Sequence, residues 1–297
     1  MKRIHLLYLL ALLFGMTAVM SCSDSEEALT PSNAQDDFFS VPEGANDPVS
    51  LLRKDFHEKY GMHLLFNDTL RTQPKTETID FNYALSDYGS AYFCFEYLDN
   101  DIQTLTTATS TFEEKIMPHL SKKILPYSLL LVSKIGYDKY GYEEDMDYVS
   151  SVSCFRCLAI AIGDILNASE EEQDGQIKDF LFKMIRGKIN VFDDSFNPFT
   201  DISSEYNYER ISDYMDGWDR SDETIIHDYG FLDYDPDWRD RYERDEFPDQ
   251  TDDMEDYLEA LIYMSETEFE ELYGDYPVVM QKYRILRQLV EDMGFVL

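Results

Sequence analysis

Apolar and polar positions divide the chain into a short leader, a polar stretch and one long patterned region. Lys2 and Arg3 precede an apolar run from Ile4 to Met20, broken only by His5, Gly15 and Thr17. The run is shorter than the roughly 20 residues a membrane span needs, and polar chain follows at once, which is the pattern of a signal peptide. Residues 23–48 are rich in Ser, Asp, Glu, Asn and Pro and read as a flexible tether. Beyond it, Asp47-Pro48 is a helix start, Leu51, Leu52, Phe56 and Tyr60 keep helical spacing, and Gly61 is a stop. Met62 to Phe66 predicts a short strand, Ala91 to Phe95 a strand or helix, Phe112 to Lys123 a helix, and Tyr127 to Val132 a buried strand. In the apolar stretch Val149 to Leu166, the second half, Cys154 to Leu166, is long enough for a buried helix. Residues 186–250 have little periodicity and read as long loops with short helices. Regular pattern then returns. Asp252 or Asp253 is placed to cap a helix whose Met254, Leu258, Leu261 and Ile262 share a face. Ser265-x-x-Glu268 forms a capping box, and Pro277 opens a last helix that Gly294 ends. No internal repeat occurs. The pattern predicts an α+β domain over 49–297, helix-rich in its C-terminal half.

The 297 residues include 60 acidic and 25 basic side chains, a formal net charge of −35, with 44% hydrophobic residues. Enough apolar material is present for a core, which excludes a disordered acidic tail. The charge argues against nucleic acid, whose phosphates attract Lys and Arg. The leader ends in Val19-Met20-Ser21-Cys22, which resembles a lipobox, so the expected boundaries are a lipoprotein signal peptide over 1–21 and a lipidated acidic tether over 22–48, with Cys22 the lipidated residue. Ser23-Asp24-Ser25-Glu26-Glu27 resembles the surface-export signal of Bacteroidota lipoproteins. The expected location is the outer membrane, reached through the lipid anchor and exposed at the cell surface.

Motifs of common chemistries are missing. The chain has no G-x-x-x-x-G-K, G-x-G-x-x-G or G-x-S-x-G. His57-Glu58 and His63 superficially look like a zinc-protease signature, but ligands on one helix face need a separation of four, and Gly61 interrupts the helix between them. Asp233-x-Asp235-x-Asp237 looks like the start of a calcium loop, yet Trp238 and Arg244 stand where such a loop needs Gly and Glu; a solvated acidic loop is the expectation. Cys154-Phe-Arg-Cys157 has redox or metal spacing without a second ligand pair, so Cys154 and Cys157 are expected as buried thiols.

Several short pieces resemble, in order, a family of Bacteroidota surface lipoproteins: the zinc-binding metallopeptidases, or substrate import-associated zinc metallohydrolases. These pieces are Phe56 to Phe66 (FHEKYGMHLLF), Ile124 to Val132 (ILPYSLLLV), Ile211-Ser-Asp-Tyr214 with Trp218, Gly230-Phe231-Leu232, Glu255-Asp256-Tyr257-Leu258-Glu259 and the final helix. The resemblance implies a zincin-like single domain whose chemistry rests on a His-Glu-x-x-His helix and a downstream glutamate. Laid on Ile160 to Leu166, it keeps only Gly163, Ile165 and Leu166 of that helix. Ile160 and Ala161 replace the first histidine and the glutamate, Asp164 replaces the second histidine, and Glu255 stands at the third ligand position. Isoleucine cannot ligate zinc and alanine cannot take a proton. No metal or other cofactor is therefore expected, no catalytic residue is assigned, and Asp164 and Glu255 count as vestigial ligand positions. Whatever the register, the chain contains no His-Glu-x-x-His.

Three readings follow. The first is a non-catalytic relative, binding a peptide or glycan or accompanying TonB-dependent importer components, with Tyr206, Tyr208, Tyr214 and Trp218 as a candidate binding surface; plain loop packing is the competing account of these rings. The second is a hydrolase using an unorthodox carboxylate pair such as Asp164 and Glu255. The third is an acidic surface protein unrelated to the family.

Overall fold

The computed structural model describes residues 38–72, 76–81, 92–138, 146–215, 223–234 and 245–297. Contacts divide the chain into two units, 1–40 and 41–297, and the second carries every element that follows.

Capping chemistry sets the first helix. Asp47 accepts the Ser50 N–H at 3.0 Å, Pro48 takes the first position where no N–H is needed, and Gly61 ends the helix at φ +75°. This gives α1 (Pro48–Tyr60), followed by β1 (His63–Leu65), the small antiparallel pair β2 (Thr69–Arg71) and β3 (Glu77–Thr78), and β4 (Tyr92–Glu96). Next comes α2 (Ile102–Thr111), capped by Asp101, which continues through a π turn over Phe112–Ile116 into a 3₁₀ turn over Met117–His119. Five strands follow: β5 (Ser128–Val132), β6 (Lys134–Asp138), β7 (Asp147–Val149), β8 (Ser151–Ser153) and β9 (Cys157–Ala161). The chain then turns helical with α3 (Gly163–Asn167) and α4 (Glu170–Arg186). Single turns at Asn197–Thr200 and Ile211–Tyr214 and a 3₁₀ stretch at Glu223–Tyr229 precede α5 (Gln250–Tyr263), α6 (Glu266–Tyr273) and α7 (Pro277–Met293).

The strands form a mixed sheet in the order β1-β5-β9-β8 and an antiparallel sheet β4-β6-β7. In the mixed sheet β1, β5 and β9 are parallel, with His63, Ser128 and Cys157 in register, and β8 runs antiparallel to β9. All five residues of β5 are buried, as a strand covered on both faces requires. Leu129, Leu131, Leu158 and Ile160 belong to one large core with the apolar faces of α1, α2, α4, α5 and α7. A second, smaller core gathers Ile211, Met215, Ile226, Phe231 and Phe247.

The α+β expectation therefore holds at the level of a mixed fold with small sheets. The predicted start of α1, the strands at 62–66 and 127–132, the capping box at Ser265/Glu268 and the bounds of the last helix are all present. Three expectations need correction, and one helix was not expected. Cys154 to Leu166 is not a helix but a two-residue hairpin turn, the central strand β9 and the short α3; an apolar run buried on both faces has no period to separate strand from helix. The helix expected at Phe112 to Lys123 is instead α2, ten residues upstream and rich in Thr, and only its distorted end reaches His119. The cap of α5 is Asp249, which accepts the N–H groups of Thr251 and Asp252, and not Asp252 or Asp253. The 17-residue α4 was hidden by its acidic first turns, although Ile177, Phe180, Leu181 and Ile185 mark a helical stripe.

Ile160 is fully buried between β5 and β8, so Ile160→Ala is expected to lower unfolding stability by about 2–5 kcal/mol, measured by denaturant titration.

Candidate functional site

The vestigial ligand positions fall on different kinds of element. Ile160 and Ala161 lie in β9, so the helix face expected to carry them is absent; Asp164 is exposed in the first turn of α3. Glu255, on α5, accepts a hydrogen bond from the Arg186 guanidinium at the end of α4. That ion pair leaves Glu255 a structural partner of its own. Among the described residues no group of three or more His, Cys, Asp or Glu side chains is arranged to hold a metal ion. His57 and His63 do meet, because the Gly61 turn folds β1 back on α1, with ring centroids 4.2 Å apart and planes 13° from parallel. Imidazole lone pairs lie in the ring plane, so two stacked rings do not point at one shared ion.

Two of the four predicted aromatic residues come together. The Tyr206 ring stands edge-on to Tyr214 at 5.3 Å and to Tyr229 at 5.0 Å, and Phe247 lies 5.7 Å away beneath them. Edge-to-face geometry is favourable for such rings. The backbone supports the cluster through a short antiparallel ladder, in which Tyr208 donates to Phe247, Phe247 to Glu209 and Ile211 to Asp245. Tyr214 keeps 42% of its surface exposed. Partial burial raises its phenol pKa, and the negative charges of Glu209, Glu205 and Asp213 add to the rise. Tyr208 departs from the group: at φ +63° its side chain turns to Asp249, to which its hydroxyl donates at 3.1 Å, and it is 67% exposed. Trp218, Cys22, Asp235 and Asp237 lie outside the described residues.

Beneath this aromatic surface sits a feature that the sequence reading did not single out. Lys282, on α7, is fully buried. Its ammonium donates to both carboxylate oxygens of Asp253 at 2.7 Å, to the Gly230 carbonyl at 2.8 Å and to the Ser203 hydroxyl at 3.2 Å. Rings of Phe199, Phe231 and Tyr257 enclose it with centroids 4.8–4.9 Å away. Burial drives Lys282 down and Asp253 up, and the contact between them opposes both shifts. Gly230 is required here: its φ is +86°, and a Cβ would stand 2.7 Å from Val278 and 2.9 Å from the Ser203 hydroxyl. Tyr257 donates a second hydrogen bond to the same carbonyl at 3.0 Å. His227 Nδ1 lies 2.8 Å from the Phe231 carbonyl, an acceptor that requires the proton on Nδ1, while Tyr273 and Tyr276 stand edge-on to its ring.

One turn along α5 from Asp253, burial pushes the Asp256 carboxyl up to about 8, with Asp233, Asp253, Glu259 and Asp252 adding negative charge. A carboxyl of this kind keeps its proton at neutral pH and can donate it. The signal for Lys282 was present in the sequence as a lysine between Val279 and Leu286 on the apolar stripe of α7; the signal for Asp256 was not, since one aspartate among many in an acidic chain carries no mark. A separate groove of about 530 Å³ runs between α4, α5 and α7, lined by Ile177, Leu181, Leu261 and Tyr283. Its rim charges are largely matched, with Arg287 on Glu266 at 2.8 Å and Lys115 at 3.9 Å from Asp174.

No family model matches this chain, and neither a characterised protein nor a solved structure was found to match it.

Removing one partner of a buried ion pair leaves the other charge uncompensated, so Lys282→Met alone is expected to cost about 3–5 kcal/mol in denaturant unfolding, and Lys282→Met with Asp253→Leu to recover most of that loss. The Asp256 pKa is raised on folding from 3.8 to about 8, so the folded chain holds the extra proton and its stabilising contribution is complete at low pH and lost as pH rises through about 8. Asp256→Asn is expected to raise Tm by a few degrees at about pH 9 and to leave it nearly unchanged at about pH 4.

Proposed function

We propose that this chain is a lipid-anchored protein of the outer membrane, displayed at the cell surface. In this reading its zincin-like domain resembles the import-associated zinc metallohydrolases but has lost their chemistry. It acts by binding a peptide or glycan, beside TonB-dependent importer components. The lipobox ending at Cys22 and the acidic segment after it support the anchor. The observation that carries the loss of chemistry is the residue content at the aligned motif. Ile160 and Ala161 offer no ligand and no base, and Glu255 is engaged by Arg186. Binding is assigned to the face of Tyr206, Tyr214 and Tyr229, where one ring is open to solvent and carboxylates form the border. Ligands with an apolar face and cationic or hydroxyl groups suit that chemistry.

A second reading rests on Asp256. A carboxyl protonated at neutral pH with Asp233 nearby is the kind of pair that acid–base hydrolysis uses. Under that reading Asp256→Asn abolishes a hydrolytic activity; under the first, no such activity exists to lose.

Elemental analysis of the purified chain, equilibrated with zinc and freed of excess, is expected to find no retained zinc. Stoichiometric zinc that disappears in Glu255→Ala contradicts the loss of the metal site. Cys22→Ala is expected to abolish palmitate labelling and surface protease sensitivity in cells. On immobilised peptide and glycan arrays, Tyr214→Ala is expected to weaken the signal at least tenfold with Tm unchanged.

A further inference from the structure

The hairpin between β8 and β9 brings Cys154 and Cys157 face to face. β8 and β9 pair antiparallel with Ser153 opposite Leu158, and continuing that register sets Cys154 directly opposite Cys157. The Cys154 N–H donates to the Cys157 carbonyl at 2.8 Å, closing a two-residue hairpin turn over Phe155 and Arg156. Residues directly opposite in an antiparallel pair have Cα atoms about 4.5–5.5 Å apart and side chains on the same face, inside the Cα range of about 4.4–6.8 Å that a disulfide spans. Both are free thiols. They differ in access: Cys154 is partly exposed, whereas Cys157 is buried, and burial together with the neighbouring Cys154 pushes its thiol up to about 12.

The turn is also held from the side. Ser128, opposite Cys157 in β5, donates to the Arg156 carbonyl twice, from its N–H at 3.0 Å and its hydroxyl at 2.9 Å. The Arg156 guanidinium lies over the Tyr127 ring at 4.2 Å. Phe155 is left at the tip with 90% of its surface exposed.

We propose that Cys154 and Cys157 form a reversible disulfide across this turn by exchange with a low-molecular-weight disulfide, locking the tip that presents Phe155. The Cys154 thiolate attacks one sulfur of the oxidant and expels the other half as a thiolate, giving a mixed disulfide. Cys157 then loses its proton to the released thiolate and attacks the Cys154 sulfur, expelling the second half. Two protein thiols become one disulfide while one disulfide oxidant becomes two thiols. The high pKa of Cys157 makes the second step slow, and the fixed turn makes it intramolecular.

The test uses the full chain and oxidised glutathione. After incubation at mildly alkaline pH, free thiols are alkylated and the chain is cut with trypsin without reduction. Trypsin cleaves after Arg156, between the two cysteines, so a closed disulfide leaves residues 140–156 and 157–178 joined as one species two hydrogens lighter than the pair. The expected result is that species in most molecules, its loss on treatment with dithiothreitol, and no such species in Cys154→Ser, with Cys94→Ser unchanged. Alkylation of both Cys154 and Cys157 after oxidation overturns the proposal. A stable glutathione adduct on Cys154 with Cys157 still free overturns it equally, because the second step then does not occur.

Discussion

Lys282 carries its ammonium out of reach of bulk solvent, and segments of the C-terminal half converge to satisfy it. Three acceptor residues, Asp253, Gly230 and Ser203, come from three separate segments, and three aromatic rings close the remaining directions. An isolated ammonium in such a setting costs several kcal/mol, so the segments must arrive together or not at all. The constraint explains why 223–234, within the weakly periodic region 186–250, has a defined structure around the Gly230 turn. That turn positions Phe231 over the ammonium on one side and, through the second core, against Phe247 on the other. Tyr206, Tyr214 and Tyr229 rest on Phe247. The aromatic surface is thus supported by the ion pair through one layer of rings.

The same geometry accounts for Asp256. A helix that carries Asp253 inward also carries Asp256 part of the way in, one turn later, with no cation paired to it among the described residues. Burial raises its carboxyl pKa to about 8, and Asp233, Asp253, Glu259 and Asp252 add to the rise. Whether the proton serves a reaction or only limits repulsion within an acidic chain, its origin is the same: burial first, neighbouring carboxylates second.

Elements with strong local signals were legible from sequence. Asp47-Pro48 and Gly61, Ser265 with Glu268, and Pro277 with Gly294 fix helix ends through their own backbone chemistry, and these fell where expected. Elements decided by tertiary burial were not. Cys157 to Ala161 is apolar at every position, so only its neighbours β5 and β8 make it a strand. The tyrosine cluster was legible as a concentration of rings, but the departure of Tyr208 toward Asp249 depends on a backbone conformation with positive φ that its sequence does not announce. Lys282 was legible in principle, as a charge on an apolar stripe, while its partner could not be chosen among the aspartates of α5. The facing cysteines show the cost of a wrong element: as part of a helix they are two buried thiols, and as a hairpin they are a pair.

Hydrogen exchange measured by mass spectrometry on the wild-type chain and on Lys282→Met tests most directly whether the ion pair organises this half of the molecule. The account predicts that loss of the ammonium speeds exchange together in 223–234, 245–263 and the ladder at 208–211, while β5 and β9 keep their protection. Faster exchange confined to α7, with the Gly230 turn and the tyrosine ladder unchanged, would contradict it.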